Sequence, residues 1–153
     1  MNKDKISKLD KETASLLSEL GVKANFTITY DEAEKILNFQ IDSEEAAALI
    51  GFHGETLQSL QLILSFLVHK TLDEWAKVLV NVGDYRQKRE EQLRKLALNL
   101  AMKAKFSQEA QTISNLSAAE RRIIHLCLTD HPDVSTQSEG EGKERQLVIK
   151  PKI

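Results

Sequence analysis

The sequence contains one cysteine, Cys127, and no long apolar run. A single cysteine cannot form a disulfide within the chain or build a cysteine-rich zinc site. Such sparse use of cysteine fits a reducing cytosol. No apolar stretch approaches the roughly 20 residues that cross a membrane, and the charged N-terminal segment does not resemble a signal peptide. We therefore predict a cytoplasmic protein without a membrane span.

Motifs of common enzyme classes are also absent. The chain has no H-E-x-x-H zinc motif, no phosphate-loop lysine motif and no carboxylate cluster. Hydrolysis would need a nucleophile with a base, or a metal cage. Arg121 and His125 could act on a phosphate, but no third catalytic group accompanies them. We predict that the protein is not an enzyme and uses no metal or cofactor.

The charge is nearly balanced overall but uneven along the chain. The formal net charge is -2, which argues against purely electrostatic binding of nucleic acid. Residues 1–50 carry 6 Lys and Arg against 10 Asp and Glu, whereas residues 51–153 carry 15 against 13. A local basic patch can therefore still act on an anionic partner.

A glycine-bounded loop, Gly51-Phe52-His53-Gly54, lies between two predicted helices at 42–50 and 54–70. Glycine permits positive φ angles and close approach of another backbone. The free N–H groups and positive dipole end of the second helix face whatever binds the loop, and a phosphate suits them. The alternative is a glycine-capped turn between two core helices, because an isolated G-x-x-G is a weak signal.

The hydrophobic pattern predicts an α+β fold with a domain break near Gly83. Before the break we expect a helix at 6–20, strands at 22–30 and 35–41, the two helices around the glycine loop, and a strand at 77–82. After it we expect a long helix at 84–105, a short strand at 111–113, a helix from Ser117, and a hairpin of strands 134–138 and 146–149. The predicted domains are therefore 1–83 and 84–153.

The long helix combines an apolar stripe with a basic face. The stripe comprises Leu93, Leu96, Ala97, Leu100, Ala101 and Ala104. The opposite face includes Arg86, Lys88 and Arg89, which we predict as supporting contacts to nucleic acid. The alternative is a solvated face stabilised by i,i+4 ion pairs.

Ser117 and Glu120 form the signature of a capping box, which predicts the start of the following helix. Helical geometry places Arg121 and His125 together, with Arg122, opposite the apolar residues Ile123, Ile124, Leu126, Cys127 and Leu128. An arginine can bind phosphate through two donors, and a histidine can hydrogen-bond or stack on a base. The alternatives are an ion pair of Arg121 with Asp130 or Glu120, and an ordinary surface histidine.

Two segments resemble known RNA-binding domains. The element order around Ile50-Gly51-Phe52-His53-Gly54 resembles a type II KH domain, with the order αββααβ. The run Arg121-Arg122-Ile123-Ile124-His125, followed by residues 130–140, resembles the R-three-H domain, which is named for an arginine and a histidine separated by three residues. Both domains in this order, joined by residues 83–90, resemble the Jag (SpoIIIJ-associated) family over roughly residues 22–153.

This resemblance implies a small R-three-H domain with a three-stranded sheet and two helices. It also implies a bacterial protein that binds single-stranded RNA, or alternatively single-stranded DNA, as a post-transcriptional regulator or RNA chaperone linked to envelope growth and cell shape. A small single-KH protein or a second copy of the chain is the implied protein partner. An alternative function is a protein-interaction module with weak RNA binding.

The sequence departs from the family at two points. Many members carry an extra N-terminal domain, whereas only about twenty residues precede the first strand in this sequence. The first variable position of the glycine loop is often basic in the family, whereas it is Phe52 in this sequence. Phenylalanine can stack or pack but cannot pair with phosphate.

Overall fold

A computed structural model describes residues 3–152, with side chains from residue 4. The chain divides into two units, Met1–Arg86 and Gln87–Ile153. Each unit combines helices with a three-stranded sheet, which confirms the predicted α+β class.

The first unit has the order α, β, β, α, α, β. Its elements are α1 Lys3–Glu19, β1 Asn25–Asp31, β2 Ile36–Asp42, α2 Ala46–Ile50, α3 Glu55–Leu72 and β3 Lys77–Val82. Strand β2 is central, antiparallel to β1 and parallel to β3. Alternate residues of β2 (Leu37, Phe39 and Ile41) are buried and share one core with the apolar stripe of α3.

The predicted first residues of β1 and α2 are both wrong. In each case, hydrogen bonds to other parts of the chain delay the start of the element. The N–H of Val22 donates to the carbonyl of Leu17, so the chain stays attached to the end of α1 and β1 begins only at Asn25. Asp42 belongs to β2, and the Ser43 hydroxyl donates to the carbonyl of Lys23. Helix α2 therefore begins at Ala46, later than the predicted start at residue 42.

The second unit contains α4 from residue 87 onward and the rest of the chain. The elements are α4 Tyr85–Ser107, β4 Gln111–Ile113, α5 Ala118–Leu128, β5 Val134–Glu139 and β6 Gln146–Pro151. The strands form an antiparallel sheet in the order β4-β6-β5. Apolar residues of α4, α5 and the sheet share one core, which includes Leu93, Ala97, Ala101, Ala104, Ile124, Leu128, Leu147 and Ile149.

The structure corrects two predicted apolar faces. On α4, Leu96 is 39% exposed, because at 100° per residue it falls at the edge of the stripe. On α5, Leu126 is 61% exposed, because it lies two positions from both Ile124 and Leu128 and therefore points away from the core. The buried face of α5 is consequently narrower than the run of apolar letters suggests.

Candidate nucleic-acid interface

The backbone of the glycine loop adopts positive φ angles at Gly51 and Gly54. Gly51 adopts φ 70° and ψ -168°, and a side chain there would overlap that of Thr56. Gly54 is left-handed, with φ 86°, and faces the ring of Tyr85. Both conformations are strained for any residue with a Cβ atom. The loop shape is therefore fixed by the positions of these glycines.

The two residues between the glycines form an exposed aromatic pair. Phe52 is 64% exposed, and His53 is also exposed. Their ring centroids lie 4.0 Å apart with planes inclined by 18°, so the rings stack on each other. His53 has φ 50°, a left-handed conformation that is uncommon outside glycine. The pair lies immediately before α3, whose N-terminus is the positive end of the helix dipole.

The capping box predicted for α5 is confirmed, and its glutamate also pairs with an arginine of α4. The Ser117 hydroxyl accepts from the Glu120 N–H, while Glu120 Oε2 accepts from the Ser117 N–H at 2.8 Å. Glu120 Oε1 also accepts from Arg89 Nε at 2.8 Å. Glu120 is only 8% exposed, so one carboxylate fixes the start of α5 to both the preceding loop and α4.

The structure places Arg121 and His125 one helical turn apart on α5. Arg121 is half-buried, and its Nη1 donates to the carbonyl of Leu116 at 2.6 Å. Glu120, one of its two predicted acidic partners, instead pairs with Arg89. His125 is exposed, and its Nδ1 lies 2.6 Å from the Thr136 hydroxyl on β5. Arg122 is exposed beside them.

The predicted basic face of α4 is largely engaged within the protein. Arg86 donates to the carbonyl of Val80 and to Gln61 Oε1, and partial burial of its guanidinium lowers the pKa of Arg86. Arg89 pairs with Glu120, as described above. Lys88 is exposed. The alternative of i,i+4 ion pairs also holds on this helix, where Arg94 lies 2.7 Å from Glu90.

Sequence reasoning missed Thr136 and the Arg89–Glu120 pair. Both contacts join residues far apart in sequence, by 11 and 31 positions. No local periodicity relates them, so only the folded sheet and helix reveal them.

Within residues 3–152, no three or more His, Cys, Asp and Glu side chains are arranged to hold a metal ion. No helix in that range is both long and apolar enough to cross a membrane.

Residues 91–151 match the family model of the R-three-H domain. The matched residues cover α5, the sheet and most of α4. The match supports the predicted resemblance to the R-three-H domain. Arg121 and His125 both lie inside the matched residues.

Proteins named RNA-binding protein KhpB resemble a longer part of the chain. The homologue from Clostridium symbiosum is 33% identical over 130 residues, which cover 85% of this chain and 59% of that protein. The homologue from Bacillus subtilis is 33% identical over 127 residues, covering 82% and 61%. The homologue from Streptococcus pneumoniae is 30% identical over 135 residues, covering 88% and 40%. The chain thus spans about three fifths or less of the length of these relatives. The matches support the prediction of a bacterial RNA-binding protein.

Proposed function

We propose that this protein binds single-stranded RNA through two sites, one in each unit. The first site is the loop Gly51-Phe52-His53-Gly54, and the second is Arg121 with His125 and Arg122 in the R-three-H domain. The observation that carries the proposal is that an arginine and a histidine lie one turn apart on the same face of α5, in a chain whose relatives are named RNA-binding proteins.

The first unit acts as a type II KH domain in this proposal. Its element order is αββααβ, and its glycine loop lies between α2 and α3. A KH fold holds about four nucleotides, with their backbone against such a loop. In this protein the N-terminus of α3 attracts phosphate, His53 donates to it, and the exposed ring of Phe52 offers a surface for a base. Glu55, the first residue of α3, opposes phosphate binding and weakens this site.

The second site combines a charge-assisted contact with a base or sugar contact. Arg121 uses one donor on Leu116 and keeps further guanidinium donors for a phosphate. His125 lies beside it on the same face, and Arg122 adds a positive charge that is exposed. Arg86 and Arg89 contribute mainly to the structure, because they already bind internal acceptors.

The biological role follows the family resemblance rather than the geometry. We propose a cytoplasmic post-transcriptional regulator or RNA chaperone of the Jag family, linked to envelope growth and cell shape. Single-stranded DNA is a weaker candidate ligand that shares the same phosphate and base chemistry.

Salt-dependent binding tests the proposed function. The full chain should bind a fluorescent single-stranded oligoribonucleotide more tightly than the matched duplex. Affinity should fall as salt rises, with a slope that reports the number of phosphates neutralised. Equal or tighter binding to the duplex, or no binding at low salt, would contradict the proposal.

One observation favours the alternative of a protein-interaction module. Helix α3 exposes Leu62, Ile63 and Phe66, and Trp75 follows it with 66% of its surface exposed. The Trp75 ring stacks on His69 at 4.1 Å and meets Phe66 edge-on. Exposed apolar surface of this kind often marks a contact with another protein, for which a small KH protein or a second copy is the candidate.

Self-association can be measured by sedimentation equilibrium over a range of concentrations. In this alternative the wild-type chain forms dimers, and Phe66→Glu forms monomers while retaining its melting temperature. A wild-type chain that stays monomeric throughout would exclude self-association through this surface.

A further inference from the structure

We propose that Thr136 is a positioning residue for RNA binding, which acts by fixing the orientation of the His125 ring. This inference rests on the proposed function of the R-three-H domain. The Thr136 hydroxyl lies 2.6 Å from His125 Nδ1, a short hydrogen-bond distance. With Nδ1 engaged, Nε2 is the ring nitrogen that remains to meet RNA.

The backbone on both sides of this contact is held in place. His125 lies on α5 between the buried residues Ile124 and Leu128, and its carbonyl accepts from the Thr129 hydroxyl at 2.8 Å. Thr136 lies within β5, where it pairs with the buried Ile149 of β6. Packing of the core therefore sets the distance between the backbones of His125 and Thr136. The contact between their side chains is held in place by the same packing.

A threonine suits the role because its side chain is stiff. Branching at Cβ restricts χ1, so the hydroxyl is presented from a nearly fixed point. An exposed histidine without such a partner would sample several rotamers, and binding RNA would have to select one of them. Holding the ring in advance removes part of that ordering cost.

The hydrogen bond also determines which edge of the His125 ring faces outward. The threonine hydroxyl can donate to Nδ1 or accept from Nδ1–H, so it accommodates either neutral tautomer. In both cases Nδ1 is engaged and Nε2 is the outer nitrogen. The edge of the ring that His125 offers to a base or sugar is therefore set by a residue on a different element.

Two substitutions separate the hydroxyl from the rest of the side chain. Thr136→Val keeps the branched shape and suits a strand, but removes the hydroxyl. Thr136→Ser retains the hydroxyl and is the conservative control. Thr112→Val, at an exposed position of β4 in the same sheet, controls for loss of a threonine hydroxyl elsewhere. All variants are made in the full chain.

The expected results combine binding with a spectroscopic signature. Thr136→Val should weaken binding to a single-stranded oligoribonucleotide by about three- to tenfold, the scale of ordering one side chain. Thr112→Val should bind as the wild type does. Thr136→Ser keeps the hydroxyl but lacks the branch at Cβ, so it should lose less affinity than Thr136→Val does. NMR of the His125 side chain should report one dominant rotamer in the wild type, and averaging over several rotamers in Thr136→Val.

A double-mutant cycle tests whether Thr136 acts through His125. In a His125→Ala background, Thr136→Val should cause no further loss of affinity. An equal loss in both backgrounds would overturn the inference and make Thr136 a general structural residue. An unchanged His125 spectrum in Thr136→Val would overturn it as well, even if the wild type failed to bind RNA. Failure of the wild type to bind would by itself reject the proposed function, and the NMR result would still decide whether Thr136 orients the ring.

Discussion

Gly51 combines an unusual backbone conformation with a crowded position. At φ 70° and ψ -168°, any residue with a Cβ atom is strained, and the new methyl group of Gly51→Ala would overlap the Thr56 side chain. We expect a loss of about 1–3 kcal/mol in the free energy of unfolding from strain alone, with the overlap adding to it. Chemical denaturation measures this loss.

Gly21→Ala is the matched control for this substitution. Gly21 also has a positive φ, 73°, but a Cβ atom there would meet nothing within 4 Å. Gly51→Ala should therefore destabilise the protein more than Gly21→Ala does. Equal losses would show that the Thr56 contact relaxes without cost.

Arg121 is the residue whose loss should most reduce RNA binding in the R-three-H domain. Arg121→Ala should lower RNA affinity by about 1–3 kcal/mol and make the salt slope shallower by roughly one phosphate. Losing its hydrogen bond to Leu116 should also cost about 0.5–1.5 kcal/mol of stability. Titrations at several salt concentrations, paired with melting curves, measure both effects.

His125→Ala is the comparison for Arg121→Ala. If the imidazole is neutral and contacts a base or sugar, this substitution should weaken binding with little change in the salt slope, because a neutral group neutralises no phosphate. A structural role for the pair predicts a large loss of melting temperature with RNA affinity intact in the folded fraction, which would reject the functional interpretation.

The glycine loop as an element should tolerate added charge without unfolding. Phe52 and His53 are both exposed, and aspartate is among the residues that tolerate the left-handed conformation of residue 53. The double substitution to aspartate should therefore leave the melting temperature nearly unchanged while weakening RNA binding through repulsion of phosphate. Replacing both residues by asparagine is the uncharged control. Unchanged affinity in the folded aspartate variant would favour the protein-interaction alternative for this unit.

An ion pair joins the last turn of α4 to Asp133, the residue that precedes β5. Lys105 Nζ lies 2.9 Å from an Asp133 carboxylate oxygen, and this hydrogen bond holds the pKa of Asp133 below its usual range. A lowered pKa stabilises the fold above the unfolded value, near pH 4, and the contribution is lost as pH falls through the folded pKa. Asp133→Asn should therefore lower the melting temperature at neutral pH but not at strongly acidic pH. Parallel melting curves across that range would contradict a role for this pair.

Sequence patterns over a few residues predicted most helices and strands. The buried faces of these elements and their hydrogen-bond partners depend on the rest of the fold. The capping box at Ser117 was predictable because its partners lie three residues apart. The start of α2 was not, because the Ser43 hydroxyl donates to the carbonyl of Lys23, which lies 20 residues earlier in the chain.

At the candidate site the same limit applies. The spacing of Arg121 and His125 predicted that they share a face of α5. The partners of these side chains could not be predicted from the sequence. The contacts of Arg121 with Leu116, of His125 with Thr136 and of Arg89 with Glu120 form only in the folded unit. The number of apolar residues in α5 also led us to predict too wide a buried face. Burial depends on the angular position of a residue around the helix axis, and Leu126 points away from the core.

The whole molecule carries two candidate sites and a small net negative charge. A net charge of -2 gives no general attraction to RNA, and Glu55 opposes phosphate at the first site. Each site alone should therefore bind weakly. Useful affinity then requires that both sites engage the same strand.

The length of the RNA tests this requirement. A strand of about four nucleotides, the length that one KH fold holds, can occupy one site at a time, and a series of longer strands tests whether both sites engage one RNA. Binding at the second site becomes intramolecular, and such linkage can raise affinity by about 10²–10⁴-fold. The gain from short to long strand should vanish both in the double aspartate variant of Phe52 and His53 and in Arg121→Ala, because each leaves one site. A longer strand also offers one site several overlapping positions at which to bind. A gain in affinity no larger than the number of those positions would show instead that the two units bind RNA independently.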